Sequence, residues 1–319
     1  MSVLSSIEIE KVKIILKEIS NPISIKVLKD SSPFSEKLID YMKSISDLNE
    51  NINIEISVTG AEPSISVTPN LRYHALPDET ELEPFLKTLV RISKQNSELP
   101  DDIKERIKEI QHAELMVFIM PVCPHCAKIV ERLNQFAIEN SMIGVQVFDV
   151  AVFPEMVNEF EIMSAPTVVI NGKIKLVNPS EDELIEFIES DKESEYFIRL
   201  LKDGQIDELR AYLEKNPEET ASLVDLLRKS ELSVRLGAII SILKMTEKKP
   251  ELLGDIKNRL KGLLREDNSN IVQDAAFVLG KIGDEVDIGE LEKLFVNENK
   301  DVREAAQEAI DEITSRNEE

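Results

Sequence analysis

Two stretches of this chain run through nearly the same order of elements, and that duplication restricts its fold more than any other feature. Residues 111–192 begin with a strand pattern "AELMVFIM", a helix "CAKIVERLNQFAIEN" and a strand "IGVQVFDV". A short helix at "PEMVNEFEI" follows, then strand "APTVVI", a turn at Asn171-Gly172, strand "KIKLV" and helix "SEDELIEFIES". Asn-Gly between two apolar runs is hairpin chemistry, and Ser180 three residues before Glu183 has the spacing of a capping box. Residues 1–110 open with a helix, break at Asn21-Pro22, and then read β-α-β-β-α, from "ISIKVLKD" to "ETELEPFLKTLVRIS". Ile23, Ile25 and Val27, and Ile52, Ile54 and Ile56, carry the two-residue period of strands. Two copies of one α/β plan are an internal duplication.

From residue 193 to 319 the pattern is helical throughout, with short polar breaks. The segments "LLRKSELSVRLGAI", "LLREDNSNIVQDAAF" and "LFVNENKDVREAAQ" superimpose, the first after a one-residue adjustment. Each pairs a Leu-containing helix end with a polar turn and a second helix opened by Val234, Val272 or Val302. Small residues follow at Gly237-Ala238, Ala275-Ala276 and Ala305-Ala306, where helices must approach closely. The predicted architecture is therefore two α/β units, 1–110 and 111–192, followed by stacked helix pairs.

The chain has two cysteines, Cys123 and Cys126, enclosing Pro124 and His125 where a strand gives way to a helix. A thiolate is the nucleophile in disulfide exchange, and the unpaired N–H groups of a helix start favour a negative sulfur at Cys123. Cys126, one turn in, is placed to resolve a mixed disulfide. Pro124 suits the first helical turn. His125 favours the Cys123 thiolate and makes the disulfide more oxidising. Downstream, Pro166 after Ala165 and before Thr167 is a candidate cis proline, beside which the Ala165 backbone can pair with an extended substrate. Two other readings stand against the dithiol. A structural zinc needs four ligands, and only His74 and His112 remain as further histidines; two inert buried thiols would need no such setting.

A net charge of −23 excludes the basic stripe that nucleic acid requires and opposes docking on an anionic membrane. No apolar run reaches the roughly 18 residues of a membrane span, and the first residues lack the pattern of a signal peptide. With a lone Cys-x-x-Cys, these features lead us to expect a cytoplasmic protein.

The stretches "FIMPVCPHCAKIVERLNQFAIEN" and "FPEMVNEFEIMSAPTVVINGK", with "LRYHALPDETELEPFLKTLVRIS" between the units, resemble the tandem thioredoxin-fold proteins. These are the glutaredoxin-like archaeal protein disulfide oxidoreductases and the N-terminal domain of the alkyl hydroperoxide reductase flavoprotein. The resemblance covers roughly residues 5–190. It implies two thioredoxin folds, Cys123 as nucleophile, Cys126 as resolving thiol and a redox-active Cys123–Cys126 disulfide in place of any other cofactor. In the first unit Ser32-Pro33-Phe34-Ser35 stands where the family has Cys-Pro-x-Cys, so that unit cannot exchange disulfides. Its segment before "AEPSISV" is too short for the usual central helix, and Pro63 occupies the cis-proline place. The family's bridge motif Gly-His-Glu-Phe is here "ETEL", so Glu81 matches a glutamate that in that family approaches the dithiol, which implies a relay of protons from Glu81 to the Cys123 thiol. The competing reading of Glu81 is an exposed helix carboxylate beside Glu79 and Glu83.

No Gly-rich dinucleotide turn is present. The resemblance therefore implies that electrons pass to or from a separate thioredoxin-reductase-like flavoprotein, with a peroxiredoxin as a further partner beside protein disulfide and dithiol substrates. The helical region resembles HEAT or phycobilisome-lyase-type HEAT-like repeats, in "VQDAAFVLGKIGD" and "DVREAAQEAIDEI", which offer a face to an unidentified protein. Two functions follow: a disulfide oxidoreductase whose repeats recruit a partner, or a repeat scaffold whose dithiol is a redox switch.

Overall fold

In the computed structural model, residues 5–58, 60–189 and 193–318 are described. The chain divides into two compact units, Met1–Asp191 and Lys192–Glu319.

The first unit is built on one eight-stranded sheet. Helix α1 (Ser6–Leu16) leads into β1 (Ile23–Lys29), α2 (Pro33–Ser46), β2 (Ile52–Val58), β3 (Ser64–Thr68), β4 (Leu71–His74) and α3 (Leu82–Lys94). A second run repeats the plan. It comprises α4 (Asp101–Glu109), β5 (Ala113–Ile119), α5 (Pro124–Glu139), β6 (Ile143–Asp149), α6 (Pro154–Glu159), β7 (Thr167–Ile170), β8 (Ile174–Val177) and α7 (Glu181–Glu189). The strand order is β2-β1-β3-β4-β6-β5-β7-β8. The two halves are joined where β4 runs parallel to β6, with Leu71 opposite Val145 and His74 opposite Phe148.

The first half corrects the β-α-β-β-α expectation by one strand. "ISVTPNLRYH" holds both arms of a hairpin, β3 and β4, around a turn without glycine, and β4 has only four residues in which to show a period. Pro63 does precede β3, but the cis peptide among the described residues is Ala165–Pro166. The Asn171-Gly172 turn takes positive φ at both residues, 52° and 71°, as a tight hairpin requires. The Ser180 capping box forms, its hydroxyl accepting from Glu183 N–H at 3.3 Å.

Among the described residues the first half has no counterpart of α6, and the face of its strands accords with that. In the second half, Phe118 and Phe148 are buried in a cluster with Phe153, Ile162 and Val169, with Met156 and Phe160 packed against it. Burying rings of this size is worth about 2–3 kcal/mol each. The corresponding face of β1 and β2 carries Ser24, Lys26 and Leu28 beside Asn53, Glu55 and Ser57, with Lys26 and Glu55 paired at 3.6 Å. Leu28 and Ser57 stand where the second half has Phe118 and Phe148, so far less apolar surface there needs a covering helix.

The second unit is helical. Helices α8 (Glu193–Lys202) and α9 (Ile206–Lys215) precede a 3-10 stretch Pro217–Arg228 and α10 (Leu232–Lys248). Then come α11 (Leu253–Leu263), α12 (Ser269–Ile282), α13 (Glu285–Glu292) and α14 (Lys300–Glu318). The repeat read in the sequence recurs in the hydrogen bonds. Arg235 donates to the carbonyl oxygens of Lys229 and Ser230, and Arg303 to those of Asn297 and Glu298, five and six residues back in both copies. Val234, Val272 and Val302 are all buried. The expected Leu-ending first helix is a 3-10 stretch in the first copy, Pro217–Arg228, and in the last copy is α13 closed by a 3-10 turn, Lys293–Val296. Gly280 of α12 lies where a Cβ would stand 2.8 Å from Cα of Ala309 in α14, so the two helices need that glycine.

Candidate functional site

The strand β5 ends at Ile119, and the chain turns through Met120–Val122 into α5. Val122 has φ 64° and is 66% exposed, an unfavourable conformation for a β-branched residue. Cys123 is the N-cap of α5, and its Sγ accepts the N–H of Cys126 at 3.2 Å. The two cysteines are disulfide-bonded, with their Cα atoms 5.3 Å apart. Cys123 is half-buried and Cys126 wholly buried, so an incoming group meets Cys123. Pro124 fills the first helical position and, like His125, is exposed.

Thr167 of β7 lies opposite Phe118 of β5. Ala165 and Pro166, just before it, therefore lie at the end of the sheet from which the cysteine loop emerges. Ala165 is half-buried, Pro166 and Thr167 are buried, and the Thr167 hydroxyl donates to the Ser164 carbonyl at 2.7 Å. Met120 and Met163 stand exposed on the loops after β5 and before β7, together with Val122. Nothing in the motif singles out these three; their signal in the sequence is apolar residues at loop positions where solubility favours polar ones.

Glu81 is the N-cap residue of α3 and only 2% exposed, which removes the reading of an exposed carboxylate. Burial pushes its carboxyl up to about 8, since a charge is costly away from water. Helices α3 and α5 pack side by side in the same direction. Lys87 pairs with Glu131 at 3.8 Å, the Asn134 amide donates to Thr88 Oγ1 at 2.9 Å, and the Gln135 amide donates to the Ser97 carbonyl at 2.9 Å. Two turns back from the Thr88–Asn134 bond, α3 reaches Glu81 and α5 reaches Cys126. Glu81, Phe85 and Thr88 form one stripe on α3; Cys126, Val130 and Asn134 form the facing stripe on α5. The Tyr73 ring packs on Phe85 at 5.2 Å, and its hydroxyl accepts from Asn134 at 2.6 Å.

The equivalent place in the first half is held by serines. Ser32 caps α2, Ser35 is buried, and both hydroxyls donate to Oδ1 of Asp30, at 2.5 and 2.6 Å. These bonds hold the Asp30 carboxyl below its ordinary range. His74 is buried across the junction of the halves, stacked on Phe148 at 4.4 Å with Nδ1 3.1 Å from the Pro63 carbonyl oxygen, and burial lowers its pKa. His112 lies at the start of β5, away from the cysteine loop. Among the described residues, no group of three or more His, Cys, Asp or Glu side chains is placed to hold a metal ion. No described helix is long and apolar enough to cross a membrane.

With this geometry in place, the likeness to known proteins is specific. A model of the thioredoxin domain matches residues 113–189 and a model of HEAT repeats matches residues 220–311. A probable thioredoxin of Methanothermobacter thermautotrophicus is 34% identical over 79 residues, covering 24% of this chain and 93% of that protein. An alkyl hydroperoxide reductase protein of Pseudomonas aeruginosa is 27% identical over 171 residues, covering 51% of this chain and 33% of that protein. The chain thus spans about a third of the length of such relatives. The solved structure of a protein disulfide oxidoreductase from Aeropyrum pernix superimposes with a TM-score of 0.55 at 21% identity, over 60% of this chain and 96% of that one.

Proposed function

Because this chain belongs to the thioredoxin family through residues 113–189, we propose that it is a protein thiol–disulfide oxidoreductase working through Cys123 and Cys126 in a reducing, cytoplasmic setting. The observation that carries the proposal is the asymmetry of the pair, Cys123 reachable at a helix N-terminus and Cys126 buried behind it. In the reduced protein the Cys123 thiolate attacks one sulfur of a substrate disulfide and expels the other as a thiolate. In the fraction of molecules whose Glu81 is ionised, Cys126 then loses its proton to that carboxylate and attacks Sγ of Cys123. That step releases the second substrate thiolate and leaves the Cys123–Cys126 disulfide, so two electrons have passed to the substrate. A carboxyl near 8 matches a thiol of ordinary pKa as a proton acceptor. The backbone at Ala165, beside Pro166 and Thr167, offers the edge on which a substrate segment lies.

Electrons return from a second dithiol protein or a flavoprotein reductase of the thioredoxin-reductase kind, and a peroxiredoxin is a fitting acceptor. The helical repeats serve as the surface that recruits such a partner. The test is insulin disulfide reduction under dithiothreitol with wild type, Cys123→Ser and Cys126→Ser. Multiple turnover lost in Cys123→Ser supports the proposal. No turnover by folded protein with two titratable thiols overturns it and leaves a scaffold whose dithiol is a redox switch.

A further inference from the structure

The sulfur-free half has a cleft at the end of its strands that corresponds to the disulfide end of the redox half. In the redox half the loop after β5 and the loop before β7 lie at one end of the sheet. Their counterparts after β1 and before β3 form a cleft of about 430 Å³ together with residues just beyond β6. Phe34, Val152 and Phe153 supply its apolar wall, with Phe34 set edge-on to Phe153 at 5.7 Å. Asp30, Glu62 and Glu155 supply its charge, and no lysine or arginine is among the described residues lining it. Around the disulfide the exposed residues include the apolar Met120, Val122 and Met163, with Glu161 the acidic one on the loop before β7.

The strand pairings fix where this cleft lies. β1 is antiparallel to β3, β3 to β4, and β4, β6 and β5 are mutually parallel. β1 and β5 therefore point the same way, and the cleft opens at the same end of the sheet as the disulfide. Four strand spacings separate β1 from β5 and one separates β6 from β5. At about 4.8 Å each, the cleft begins roughly 5 Å from the line of β5 and ends roughly 19 Å from it. An extended chain advances about 3.3 Å per residue and covers that interval in roughly two to six residues.

We propose that this cleft binds an extended segment of the protein substrate bearing a lysine or arginine about two to six residues from its reactive cysteine. The proposal rests on the reading of the protein as acting on protein disulfides and names the substrate feature it selects. The apolar wall takes the methylene stem of the basic side chain or a flanking apolar residue, and the three carboxylates face the cationic head. Asp30 is held in place by the Ser32 and Ser35 hydroxyls, both on its Oδ1.

The probe is a fluorescein-labelled, cysteine-free decapeptide of Phe and Ala with two lysines, and the same peptide with glutamines instead. Binding is read by polarisation at 150 mM salt, where the field of a chain with net charge −23 is screened beyond about 8 Å. Glu62→Gln/Glu155→Gln should weaken lysine-peptide binding about tenfold. Glu251→Gln/Glu308→Gln, which removes two exposed carboxylates of the helical unit, should leave it unchanged. Equal weakening in both variants, equal binding of both peptides, or no binding of the lysine peptide would overturn the proposal. The peptide contains no sulfur, so its binding does not depend on thiol chemistry, and insulin turnover tests the redox reading separately.

Discussion

The Asn134 amide of α5 donates to the Thr88 hydroxyl of α3 at 2.9 Å, and that contact sets which residues meet two turns earlier. It brings the buried Glu81 to the end of α5 that carries Cys126. A carboxyl that ionises near 8 in the folded chain and near 4.5 in the unfolded one keeps its proton on folding between those values. The native state then binds more protons than the unfolded state, so stability falls as pH rises through this window, by up to about 1.4 kcal/mol per pH unit. Urea midpoints between pH 5 and pH 8 should fall less steeply in Glu81→Gln than in wild type. Parallel profiles would show that Glu81 is ionised in the native state.

His125, exposed one residue into α5, should raise the reduction potential through its charge or hydrogen bond near Sγ of Cys123. His125→Ala should lower the potential by on the order of 30 mV, equivalent to about 1.4 kcal/mol for two electrons. Equilibration with glutathione or dithiothreitol buffers measures it. An unchanged value would remove His125 from the redox chemistry and leave it a surface residue.

Ser35 is 1% exposed, donates to Asp30 and receives the Asp30 backbone N–H at 2.9 Å. Ser35→Ala takes a partner from the half-buried Asp30 carboxylate and from a backbone N–H at once and should cost about 1–3 kcal/mol. Ser32→Ala removes an N-cap and should cost about 1 kcal/mol. Both are read from urea unfolding, and a Ser35→Ala cost under about 0.5 kcal/mol would mean the Asp30–serine cluster is only a surface ornament.

Two glycines of the helical unit should respond in opposite directions. A Cβ on Gly280 would meet the Ala309 backbone, so Gly280→Ala should destabilise by about 1–3 kcal/mol. Gly289, inside α13, has open space around its missing Cβ. Gly289→Ala should stabilise by roughly 0.5–1 kcal/mol, the helix propensity difference. Thermal unfolding of the two variants side by side decides it.

The duplication, the cysteine motif, the Asn171-Gly172 hairpin and the helical repeats were legible because each rests on local chemistry. Val234, Val272 and Val302 mark their period in the sequence and are buried in the fold. β4 is not legible in the sequence because four residues after a turn without glycine carry too little periodicity. The burial of Glu81 could not be read at all. Its neighbours Glu79 and Glu83 are acidic, and only the packing of α3 against α5 distinguishes it from them. The cleft beside Ser32 was equally silent, since its walls come from three segments far apart in the chain.

The parallel pairing of β4 with β6 has a consequence for how such a chain can change. Cut at that seam, the redox half would expose β6 as an open edge, with Val145 and Val147 beside it ready to pair with another chain. The first half has serines at the place of the cysteines, yet its β4 covers the flank of β6 all the same. A half that covers its neighbour's edge is held in shape by that pairing whatever chemistry its loops carry.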